Sequence, residues 1–118
     1  MTDYTLRELQ DEMIHLSRQL DKGIDFLREQ AAIYAHAEDT YRLARARAYL
    51  DSEGTVDVRR SITDLATSKE RVDAHLAEGL KQAAVEAVRS RRQQISALQS
   101  LVSANKAEAE FTRTRPVE

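Results

Sequence analysis

The sequence has no cysteine, and its one proline, Pro116, lies close to the end of the chain. The first absence excludes disulfide frameworks, thiolate nucleophiles and cysteine zinc sites. The second means that no proline interrupts a helix over nearly the whole length. Three glycines leave few backbone breakers, and aromatic residues at 5% are too sparse for a thick globular core. Apolar runs are only a few residues long, and no basic segment leads into an apolar one, so neither a membrane span nor a secretory signal is expected. Cytoplasmic residence is the resulting expectation.

What is present is charge, at 32% of residues with a net of −2, unevenly spread. Residues 1–40 carry 9 acids against 4 bases, whereas residues 89–118 carry 3 acids against 6 bases. An acidic first arm and a basic tail attract each other if the chain folds back on itself.

Periodicity supports such a fold. Leu6, Met13, Leu20, Leu27, Tyr34, Tyr41 and Ala48 recur every seven residues, joined by Leu9, Leu16, Ala37 and Ala44 at the second seam position. Thr5 and Glu8 form a T-x-x-E capping box, and Tyr4 is placed to staple onto Leu9. Later in the chain Ile62, Leu65, Val72 and Leu76 keep a three-four spacing, and Val88, Ile95, Leu98 and Val102 keep it with a shift of one residue. Leu65, Leu76, Ala87, Leu98 and Ala109 recur every eleven residues, the period of a straight or slightly right-handed helix pair.

Between the two periodic runs lies "AYLDSEGTVDVRRS". Gly54 suits a positive-φ helix end, Thr55 an N-cap, and Asp57 the positive end of the next helix. The expectation is an all-α chain forming a single antiparallel two-helix hairpin, long and coiled-coil-like. Its parts are a helix at about 5–51, a turn at about 52–55, a helix at about 56–111 and a flexible tail at 112–118. Each helix would be about 70 Å long. Folding back about Gly54 sets Tyr34 near Ala74 and Ala77, Tyr41 near Ala66, and Gly23 across from the alanines at 83–87.

A lone hairpin buries too little apolar surface to offset the cost of ordering about 1.5 kcal/mol per residue. Ile14, Ile24, Phe26, Ile33 and Tyr49 on the first helix, with Leu80, Val85 and Leu101 on the second, lie off the main seam and are the candidate oligomer or partner interface. A four-helix dimer or a larger helical oligomer is expected.

Glu12-x-x-His15 is the only pair with metal-ligand spacing, and the second copy and extra carboxylates that a di-metal bundle needs are missing. No phosphate loop, HExxH or Ser/His/Asp constellation is present, and a thin hairpin offers no water-excluded pocket, so neither enzymatic activity nor a cofactor or metal is expected. Arg42, Arg45, Arg47, Arg59 and Arg60 converge on the turn and form the candidate contact for nucleic acid or an acidic partner, opposed by Asp51, Glu53 and Asp57 beside them.

The tyrosine and alternating small and basic residues at Tyr41–Ala48, the acidic-Gly-Thr-Val turn at Glu53–Val56, the alanine-rich Ala77–Ala87 and the "RQQISALQSL" run at Arg92–Leu101 resemble small helical-hairpin proteins of tailed bacteriophages and prophages. The resemblance implies a helical accessory protein of a phage DNA replication or recombination module, acting in the host cytoplasm. It carries no established functional residues. Two roles follow: a self-assembling accessory that binds single-stranded DNA or a recombination protein, or a coiled-coil chaperone or structural adaptor that binds protein helices only.

Overall fold

The structure, a computed structural model, describes residues 5–114. Among them there is no strand. Three helices follow one another: α1 (Leu6–Asp51), α2 (Val56–Ala66) and α3 (Ser68–Thr114). None of them is long and apolar enough to cross a membrane.

The start of α1 follows from its capping box. The Thr5 N–H donates to Glu8 Oε2 at 3.0 Å and the Glu8 N–H donates back to Thr5 Oγ1 at 3.2 Å. Tyr4, assigned above to a staple, and residues 115–118 of the expected tail lie outside the described residues; residues 112–114 continue α3.

The chain forms two compact units. Among the described residues, one comprises 5–24 together with 86–114, and the other is Asp25–Val85. In the first unit Leu9 and Leu16 are buried, Met13, Leu20 and Gly23 are half-buried, and on α3 Val88 is buried while Arg91, Ile95, Leu98 and Val102 are half-buried. These alternate at spacings of three and four, a heptad seam. A methyl group on Gly23 would meet Val88 Cγ2 at 3.6 Å, an ordinary contact. Gly23→Ala is therefore expected to raise stability by about 1 kcal/mol, measured by urea unfolding, because the helix loses a flexible residue and nothing is displaced.

In the second unit α1 contributes Leu27, Tyr34, Ala37, Tyr41, Ala44 and Ala48 to the seam, as the heptad reading expects, together with the buried Gln30, which that reading leaves out. The opposing side departs from that reading. Its buried or half-buried positions are Thr63, Thr67, Glu70, Ala74, Ala77, Lys81 and Ala84, again at three-four spacing. Leu65 and Leu76, assigned to the seam through an eleven-residue repeat, are 80% and 63% exposed. The physical reason is size. Tyr34 and Tyr41 occupy the α1 side, so small residues must stand opposite, and the leucines turn outward.

The expected single second helix is also corrected, since it is interrupted at Thr67. The backbone there departs from helical values at φ −113°, ψ 17°. Thr63 Oγ1 donates to the Arg59 carbonyl at 2.8 Å and Thr67 Oγ1 to the Thr63 carbonyl at 2.7 Å. Two buried threonines four residues apart thus satisfy their hydroxyls on the preceding turn, a back-bonding that bends helices. Helical bonding still spans the break, with the Thr67 N–H on Thr63 O and the Arg71 N–H on Thr67 O, both at 3.0 Å.

Next to this break Glu70 is half-buried, and its Oε2 is buried without a hydrogen-bond partner among the described residues. A desolvated acceptor left unsatisfied costs about 1–3 kcal/mol. Glu70→Met, which fills the same seam position with a flexible apolar side chain, is expected to raise the free energy of unfolding, measured in urea, by an amount in that range.

Candidate interaction surface

The turn between α1 and α2 positions the arginines. Gly54 has φ +117°, and a Cβ there would approach Val58 Cγ1 at 3.2 Å, so the position needs glycine on two counts. Thr55 caps α2, accepting the Val58 N–H on Oγ1 at 3.3 Å. Gly54→Ala is expected to cost about 1–3 kcal/mol of stability, the opposite sign to Gly23→Ala in the same assay.

The end of α1 is closed by side chains. The Tyr49 carbonyl accepts Ser52 Oγ at 2.7 Å and Arg59 Nη2 at 2.8 Å, while the Arg59 guanidinium stacks 4.0 Å from the centre of the Tyr49 ring. Arg59, half-buried, therefore ties the turn together, and Tyr49, assigned above to an outer interface, lies beneath it. Nothing in the sequence pattern distinguishes Arg59 from Arg60 in this respect; a basic residue within reach of a helix C-terminus was the available signal.

The other arginines divide by partner. Arg42 pairs with Glu38 at 3.2 Å. Arg45 donates to the Tyr41 hydroxyl at 2.9 Å and pairs with Asp64 at 3.3 Å. Arg47 and Arg60 are exposed and have no ion pair among the described residues. The cluster of five thus offers two free guanidinium groups, with Asp51, Glu53 and Asp57 nearby in the sequence. Further along the same unit, Lys81 Nζ lies 5.0 Å from the Tyr34 ring centre. The Tyr34 phenol is pushed above its ordinary pKa by desolvation first, then by Glu38 and Glu78.

The apolar surface has a clearer pattern. Val58, Ile62, Leu65, Val72, Leu76 and Leu80 are all exposed, between 43% and 80%. At 100° per residue they fall within a stripe about 80° wide, on the side of α2 and α3 opposite the seam. Of the interface residues expected above, Leu80 belongs to this stripe. Ile14, Phe26, Ile33 and Leu101 are exposed elsewhere, and Ile24 and Val85 are half-buried.

In the first unit Glu12, His15 and Gln19 of α1 face Arg91 and Gln94 of α3 across an open groove of about 470 Å³. Gln19 Nε2 lies 2.9 Å from His15 Nε2 and Arg91 donates to Gln94 Oε1 at 3.1 Å, so these polar groups satisfy one another. No group of three or more His, Asp or Glu able to hold a metal occurs among the described residues.

Compared with known proteins, the chain matches no family model, no curated protein and no solved structure.

Proposed function

We propose that the protein is a non-enzymatic structural adaptor, an antiparallel helical hairpin that docks other protein helices along the outer face of α2 and α3. The observation that carries this reading is the exposed stripe from Val58 to Leu80. Six apolar side chains aligned on one helical face and turned to solvent form the surface that an amphipathic helix covers, with anchors at three- and four-residue intervals. The alanine and threonine seam supports it, because that seam holds the hairpin closed while the large aliphatic residues stay available.

Incorporating a photo-crosslinking amino acid at Leu65, Leu76 or the exposed polar position Gln82 in cells producing the protein tests this reading. Discrete protein adducts from positions 65 and 76, and none from 82, are expected. The absence of adducts from the stripe contradicts the adaptor reading.

A second reading, contact with single-stranded DNA, rests on Arg47 and Arg60, which have no acidic partner. Anisotropy of a labelled single-stranded oligonucleotide separates the two. The adaptor reading predicts no binding at low salt; binding that weakens as salt rises and is lost in an Arg47→Gln/Arg60→Gln variant supports the DNA reading.

A further inference from the structure

We infer that the helix received by the α2–α3 stripe is the same stripe of a second copy of this chain, in a two-fold antiparallel pair centred between residues 70 and 71. This inference rests on the helix-docking reading above and names its partner.

The argument starts from the order of residues along the stripe. A two-fold interface requires that if residue i meets residue j, then j meets i, so an antiparallel helix pairing with itself must read alike in both directions. The stripe does. Reversal about the midpoint of residues 70 and 71 sets Leu65 opposite Leu76 and Val58 opposite the exposed Ala83, and brings Ile62 opposite Gly79 and beside Leu80. Apolar meets apolar at every level except the middle.

The middle carries the one charge in the stripe, Lys69, and the same reversal sets it opposite Val72 and one residue from Asp73 of the partner subunit. Both charged residues are exposed and neither has an ion pair among the described residues. Within one helix the pair has the less favourable order, with the base four residues before the acid. Across the two-fold axis it forms twice, once on each side, so the charge complementarity is built into the stripe itself.

The borders of the stripe permit close approach. Ser61, Ser68 and Gly79 lie along one side and Ala66 along the other, all small. Gly79 has nothing within 4 Å of where its Cβ would stand. Two helices with small borders can seat their leucines between one another at interaxial distances of about 8–10 Å. A heterologous partner would impose no palindrome on this face and would not require Lys69 and Asp73 to be spaced for each other.

Sedimentation equilibrium of the full chain over a range of concentrations tests the inference, with helicity checked by circular dichroism. The wild type is expected to dimerise. Leu65→Glu/Leu76→Glu, at positions already exposed in the chain itself, is expected to weaken the dimer by about 100-fold or more, since hot-spot contacts are lost at four places. Lys69→Asp alone is expected to weaken it about tenfold by setting like charges together twice, and Lys69→Asp/Asp73→Lys to restore it to within about threefold.

A monomeric wild type at about 100 μM, a dimer that survives the double glutamate change, or a charge swap that fails to restore pairing would overturn the inference. Failure is separable from failure of the adaptor reading. A monomeric chain whose positions 65 and 76 still crosslink to other proteins removes the self-pairing alone, whereas a stripe giving no adduct of any kind removes both.

Discussion

Replacing Ala74 by leucine is expected to lower the free energy of unfolding by about 1–3 kcal/mol. Ala74 is 1% exposed and stands in the seam between Glu70 and Ala77, on the side that faces the Tyr34 and Tyr41 seam of α1. Three added carbons have no space there unless the helices part, and parting them breaks contacts at Ala77, only 5% exposed, as well. The same change at the exposed Ala35, outside the seam and the stripe, is expected to stay within about 0.5 kcal/mol. Urea unfolding followed at 222 nm measures both, and an unchanged slope would show that the loss belongs to the folded state. Equal effects at the two positions would mean that the alanine seam is not the contact surface.

The second large effect lies in the other unit. Leu16→Ala is expected to cost about 2–5 kcal/mol, because Leu16 is buried at the same seam as Leu98 and its removal strips out the apolar contacts it makes there. Ile14, two residues earlier and half exposed, provides the comparison: Ile14→Ala is expected to cost under about 1 kcal/mol. The contrast between neighbours of similar hydrophobicity measures the seam directly, since composition and helix propensity change in nearly the same way.

These two positions also show what could be read in advance and what could not. The α1 seam was legible because its large residues, Leu9, Leu16, Leu27, Tyr34 and Tyr41, are the ones buried or half-buried, and hydrophobic periodicity finds large residues easily. The capping box at Thr5 and Glu8 and the positive φ at Gly54 were legible because each demands a particular residue type at a fixed offset. On α2 and the start of α3 the same procedure selected the wrong face. It followed Ile62, Leu65, Val72 and Leu76, whereas the buried set is threonine and alanine. The apparent one-residue shift near Ala83–Ala87 was the point at which the outward stripe ends and the true seam, from Val88 onward, carries large residues again.

The arginine cluster was legible only in part. Five arginines near one turn suggest a common surface, but side-chain partners divide them: Arg59 closes the end of α1, Arg45 and Arg42 pair with acids, and Arg47 and Arg60 stay free. Sequence spacing places charges near one another and does not show which of them are already used. The exposed stripe is hidden in the sequence for a related reason: Ile62, Leu65, Val72 and Leu76 have the spacing of a seam, and of the six residues only Leu80 reads as outward.

The absence of native cysteine makes the central claim, that small residues face inward and leucines outward on α2 and α3, directly measurable. Single-cysteine variants Ala74→Cys, Ala77→Cys, Leu65→Cys and Leu76→Cys would be reacted with a thiol reagent at two protein concentrations, one below and one above the dimer range. Protection of the thiols at 74 and 77 at both concentrations, with those at 65 and 76 reacting freely when dilute and slowing when concentrated, is the predicted result. Thiols at 65 and 76 that stay protected at the lower concentration while those at 74 and 77 react would contradict it, and would return the leucines to the seam.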